Sequence, residues 1–109
     1  MSISVSYERS ERLQFEAVVF IDDDSGDCWQ VQHELADPPG VYGVSAGAGA
    51  PVVGAIVEWR LSDGEFEFVL TPRAALLFGG MQVLEFVAAA VGDDDLDAVA
   101  ERLRQIIGD

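Results

Sequence analysis

Leu61-Ser62-Asp63-Gly64-Glu65-Phe66-Glu67-Phe68-Val69-Leu70 is the stretch that decides the fold. An Asp-Gly pair between two runs that alternate apolar with polar signals a two-stranded hairpin, because both residues tolerate the positive φ of a tight turn. Working backwards, Val52 to Leu61 reads as the first strand of that hairpin. Ala55, Val57, Trp59 and Leu61 fall on one side and Gly54, Ile56, Glu58 and Arg60 on the other. Working forwards, Phe66, Phe68 and Leu70 make a dry side and Glu65 and Glu67 a wet one.

Helix punctuation follows at once. Thr71 is a candidate N-cap, Pro72 suits the first helical position, Arg73 to Phe78 make a short helical run, and Gly79-Gly80 stop it. Met81 to Ala90 returns to strand. Asp93 to Asp95 then open a last helix, in which Leu96, Val99, Ala100, Leu103, Ile106 and Ile107 recur at three- and four-residue spacings and Gly108 ends the run. Acids at that start, Asp93, Asp94, Asp95 and Asp97, complement the positive end of the helix dipole.

Upstream of the deciding hairpin, Ile3, Val5 and Tyr7 alternate with serines as a first strand, and Glu8 to Arg12 form a polar turn. Phe15 to Ile21 is almost wholly β-branched or aromatic. The turn Asp22-Asp23-Asp24-Ser25-Gly26-Asp27 leads from it into a third strand, Cys28 to Leu35. There Trp29, Val31, His33 and Leu35 share one face, and Cys28, Gln30, Gln32 and Glu34 the wetter one. Pro38-Pro39-Gly40 turns the chain toward a strand at Val41 to Ala46 and the small-residue loop Gly47 to Pro51. The expected architecture is a single α+β domain over residues 1–109: a largely antiparallel sheet of about six to seven strands, one short helix, and a C-terminal amphipathic helix packed on one face.

Composition sets the class of partner. Twenty Asp and Glu stand against six basic residues, all Arg, for a net charge of −14, while half the residues are hydrophobic. That is too apolar for disorder. Nucleic acid is a poor partner, since phosphate binding needs clustered Lys and Arg. A basic protein surface fits better. The apolar stretch Pro38 to Val57 holds three prolines and several glycines, so no segment suits a membrane span, and no basic-then-apolar leader opens the chain. The expected compartment is the cytoplasm.

Residues able to carry chemistry fail on register. Cys28, the single cysteine, and His33, the single histidine, lie five apart on one strand and therefore face opposite sides, which rules out a nucleophile pair or joint metal ligands. His33 shares its face with Trp29 and Val31 and reads as a hydrogen-bonded structural histidine. A calcium loop starting at Asp22 would place Gly26 at its fifth position and His33 at its twelfth, where Gly is wanted at six and Glu at twelve. Gly47-Ala48-Gly49 lacks both the third glycine and the following helix of a nucleotide loop. No catalytic residue, metal or cofactor is expected. The candidate partner-binding residues are acids in turns, Asp22, Asp23, Asp24, Asp27, Asp63, Glu65 and Glu67, together with Glu34. Tyr7, Tyr42, Trp29 and Trp59 are of the types that anchor interfaces, although core positions suit them equally.

From Val41 onward the chain resembles immunity-protein family ten of bacterial polymorphic toxin systems. The resemblance is carried by Val41-Tyr42-Gly43-Val44, Val53-Gly54-Ala55-Ile56, Leu61 to Phe68, and Leu70-Thr71-Pro72-Arg73-Ala74-Ala75-Leu76-Leu77-Phe78-Gly79, followed by a strand and the closing helix with Leu103, Ile106 and Ile107. The family tends to show two adjacent glycines where this chain has Gly54-Ala55, and an aliphatic residue where it has Phe78. The resemblance implies a protein that binds and occludes a cognate toxin domain; the acidity suits a basic toxin, for example a nuclease domain. The alternative from a different class is a small acidic structural or assembly protein that forms a homodimer through an exposed strand.

Overall fold

The computed structural model describes residues 3–47, 49–92 and 95–108. They form β1 (Ile3–Ser10), β2 (Phe15–Asp22), β3 (Cys28–Glu34), β4 (Gly43–Ala46), β5 (Val52–Val53), β6 (Ile56–Ser62), β7 (Glu65–Leu70), α1 (Pro72–Ala75) with a 3-10 turn at Leu76–Phe78, β8 (Val83–Ala90) and α2 (Leu96–Ile107). The fold is α+β and mostly sheet, with eight strands among the described residues where about six to seven are expected from sequence.

The extra strand arises at Gly54. Val52 to Leu61 does not run as one strand: Gly54 takes φ +66°, which breaks it into β5 and β6. A register shift between Ile56 and Glu58 then leaves Val57 65% exposed although Ala55, expected on the same side, is buried, and Ile56 of the opposite side is buried as well. Two boundaries also differ. β1 continues through Glu8 and Arg9 to Ser10, so the first turn is Glu11 to Gln14, because all eight of its residues pair with β2. The last strand begins at Val83 instead of Met81.

The strands lie in the order β5-β4-β3-β2-β1-β8-β7-β6, antiparallel throughout except where β8 runs parallel to β1. Three neighbouring spacings separate β2 from β7, which in a flat sheet is about 14 Å. Phe20 of β2 nevertheless stands 5.5 Å from Phe66 and 5.7 Å from Phe68 of β7, ring centre to ring centre. The sheet is therefore curled into a half-barrel, and its concave face carries the core. Phe20, Trp29, Phe66, Phe68 and Phe86 meet there in stacked and edge-to-face contacts. Val99, Ala100, Leu103 and Ile106 of α2 dry one end of the same face.

Both helix punctuations act as expected where they are described. Thr71 Oγ1 accepts from the Ala74 amide, and Pro72 holds the first position. The run it starts is α-helical only to Ala75 and tightens to 3-10 before Gly79. Asp95 caps α2 by accepting from Ala98 at 2.8 Å, with Asp97 in the first turn. Asp93 and Asp94 lie outside the described residues. At the other end Gly108 adopts φ +83° and packs so close to Gly40 that a Cβ would meet its amide nitrogen at 2.9 Å, while Gly40 itself donates to the Ile106 carbonyl.

One side chain ties the two halves of the curl together. The buried Tyr42 hydroxyl donates to the Ile56 carbonyl at 3.1 Å and accepts from the Ile56 amide at 3.0 Å. It thus satisfies the first residue of an edge strand from across the opening of the half-barrel. Burial holds this phenol above its ordinary value, outweighing the opposite pull of the Ile56 hydrogen bond. A raised phenol contributes stability that is full below about pH 10 and is lost as pH rises through the folded-state value. Tyr42→Phe leaves both Ile56 groups without that partner and is expected to cost about 1–3 kcal/mol in urea unfolding at neutral pH. The variant should also show a smaller alkaline loss of stability than the parent; equal stability at pH 7 would refute the seam.

Candidate functional site

Two surfaces and one interior cluster account for the residues singled out from sequence. The β2–β3 turn is self-contained: Asp22 Oδ1 accepts from the Asp24 and Ser25 amides, the Gly26 amide donates to the Asp22 carbonyl, and Ser25 Oγ accepts from Asp27. This is an Asx-type hairpin turn. Asp23 leaves it and accepts from Ser4 Oγ at 2.7 Å. Among the described residues no group of three or more His, Cys, Asp or Glu is placed to hold a metal ion.

Pairing registers show which acids converge. On the convex face, Ile21 of β2, Ser4 of β1 and Ala89 of β8 form one row. The next row sets Val87 beside Glu65, and the next sets Glu85 beside Glu67, whose far neighbour is Arg60. Asp23, held at Ser4, and Asp63, in the turn before Glu65, complete the border. The result is an apolar strip, with Val87 64% and Ile21 38% exposed, framed by carboxylates. Arg60 is the cation on this face, 3.2 Å from Glu67.

Asp22 and Asp27 turn instead toward a cleft on the concave side, and Glu34 stands at the opposite end of β3, about 20 Å from the β2–β3 turn. The expected acids thus divide into a convergent set (Asp23, Asp63, Glu65, Glu67), a cleft set (Asp22, Asp27), Asp24 in the turn itself, where its amide donates to Asp22, and the remote Glu34. Glu85 belongs to the first set and was not singled out from sequence. Its place between the inward Leu84 and Phe86 was the available signal.

The interior cluster is polar. His33, 7% exposed, lies with Nδ1 2.8 Å from Glu16 Oε2 and Nε2 3.0 Å from the Asp37 carbonyl and 3.4 Å from that of Pro38. Tyr7 donates to the other Glu16 oxygen at 2.6 Å, and the Arg102 guanidinium covers the Tyr7 ring at 4.6 Å. Burial and the Glu16 carboxylate both raise the Tyr7 phenol. Both ring nitrogens of His33 are thus engaged by oxygens of the protein itself, those of Glu16, Asp37 and Pro38. The hollow beside His33, bounded by Phe15, Tyr42 and Pro51, holds about 170 Å³, below the usual range of ligand sites.

Cys28 is exposed on the convex side of β3 while His33 is buried on the concave side, so the two do not meet. The amides of Gly47 and Gly49 are used by the carbonyls of Cys28 and Ala46, which makes this segment a turn; Ala48 lies outside the described residues. Among the described residues no helix is long and apolar enough to cross a membrane.

No protein-family model matches this chain, no curated protein shows significant similarity to it, and no solved structure matches it significantly.

Breaking one side of the Glu16–His33 pair leaves a buried polar group unpaired. Glu16→Leu is expected to destabilise by about 3–5 kcal/mol in urea unfolding, and the double variant Glu16→Leu/His33→Leu by less than the sum of the two single changes. Strict additivity would show that the pair is not coupled.

Proposed function

We propose that this protein is a non-catalytic toxin-neutralising protein that captures a basic toxin domain on its convex acidic face. The observation that carries the reading is the frame of Asp23, Asp63, Glu65, Glu67 and Glu85 around exposed Val87 and Ile21, with Arg60 paired to Glu67 as the one cation among the described residues of this frame. Apolar centre and charged rim is the anatomy of a protein interface, and the single sign of the rim selects a basic partner. Carboxylates spread over three rows also steer association from a distance, within a Debye length of about 8 Å at physiological salt. A second copy of the chain fits this face badly, since a two-fold contact would set carboxylate against carboxylate. The resemblance of Val41 to Ile107 to immunity-protein family ten points the same way, with occlusion as the mode of action.

The test is co-expression with the toxin domain encoded by the adjacent gene. Growth should be rescued, and the purified pair should associate more slowly as salt rises. Glu65→Lys/Glu85→Lys should weaken the complex by about 10- to 100-fold, mainly through the on-rate, whereas the remote Glu34→Lys should change it little. Failure of the parent chain to rescue growth or to form a complex would overturn the proposal.

A further inference from the structure

α2 does not reach the end of the concave face where the β2–β3 turn lies, and there the half-barrel opens into a cleft of about 880 Å³. Trp29, Phe86, Leu84 and Ile3 form its floor, and Phe78 and Met81, carried by the 3-10 turn and the segment after it, form one wall. Phe20 stacks on Trp29 at 4.2 Å, and Phe78 and Phe86 stand edge-on to the indole at 5.3 and 6.1 Å. The ring is therefore locked in place while remaining partly exposed to the cleft. Asp22 and Asp27 reach its mouth, and none of the six Arg lines it. The hydrogen bonds from Asp24 and Ser25 to Asp22 hold that carboxylate in position before anything binds.

We infer that this cleft binds a small organic cation with an aromatic or aliphatic body. Its volume lies in the range of small-molecule sites, which runs to about 1,000 Å³. An aromatic floor attracts a cation through the ring quadrupole and buries the apolar body that carries the charge. Carboxylates at the mouth complete the selection: an anion of equal size is repelled, and a neutral body gains nothing from them. The site is separate from the convex face. That surface looks outward from β8, whereas the cleft lies behind it, so each can fail without the other.

Tetraphenylphosphonium and its anionic counterpart tetraphenylborate share shape and differ in sign, which makes them the probes. The readout is fluorescence of Trp29 in Trp59→Phe. That background is mild, because the buried Trp59 indole nitrogen has no hydrogen-bond partner among the described residues. Tetraphenylphosphonium should quench Trp29 saturably with Kd on the order of 10 μM, in keeping with a body of its size. Tetraphenylborate should bind at least about tenfold more weakly, and Asp27→Arg should weaken the cation by about tenfold. Glu34→Arg makes the same change of net charge far from the cleft and should alter Kd by less than about twofold, which separates a local site from attraction by overall charge. Phe78→Ala, checked for an unchanged circular dichroism spectrum, should also weaken binding. Equal affinity for the two probes, no saturation below about 1 mM, or equal effects of Asp27→Arg and Glu34→Arg would overturn the inference.

Discussion

A curled sheet must dry its concave face, and this chain has one helix of twelve residues with which to do it. At 1.5 Å per residue α2 is about 18 Å long, enough to cover one end of a face lined by eight strands. The other end is filled by rings. Phe20, Trp29, Phe66, Phe68 and Phe86 pack on one another in place of a second long helix, and α1 with its 3-10 turn adds Ala74 and, at the edge, Leu77 and Phe78. The short length of α2 therefore explains both the dense aromatic cluster and the opening beside it.

The polar groups that the curl traps are satisfied in two places. Near the end of α2, Tyr7, Glu16 and His33 form a chain that finishes on the carbonyls of Asp37 and Pro38, so that each member has a partner. Across the gap between the sheet edges, the Tyr42 hydroxyl serves both backbone groups of Ile56, while the Ala55 carbonyl accepts from Thr71 beside the β6–β7 pairing. Burying such groups unpaired would cost on the order of 1–3 kcal/mol each, comparable with a large fraction of the stability of a small domain. Tyr7, Glu16, His33 and Tyr42 are in this way engaged in holding the fold together.

Local chemistry made much of the fold legible. Asp63-Gly64 announced its hairpin, Thr71-Pro72 and Gly79 bounded the short helix, and the spacing from Leu96 to Ile107 marked the face of α2 that is buried. Legibility failed where position depended on distant partners. Gly54 could be read as one glycine within a strand, and only the curl of the sheet makes it the break between two opposite edges. The bulge that expels Val57 is likewise set by pairing with β7. Of the candidate surface, Glu65 and Glu67 could be placed from alternation alone. Their meeting with Glu85 required the pairing of β7 with β8, and with Asp23 the parallel contact of β1 with β8, which no local pattern encodes.

In this account a closed end, an aromatic middle and an open end belong to one cooperative unit, with the carboxylate frame and the cleft on either side of β8. Its central claim is that the Tyr42 seam and the docking of α2 lock the half-barrel together. Native-state hydrogen exchange reads this directly at two amides, Ile56, which donates to Tyr42, and Gly40, which donates to the end of α2. Both should exchange only through global opening, with protection equal to that of Val18 and Val31 in the central strands. Exchange of either amide at the rate of an exposed loop would contradict the account.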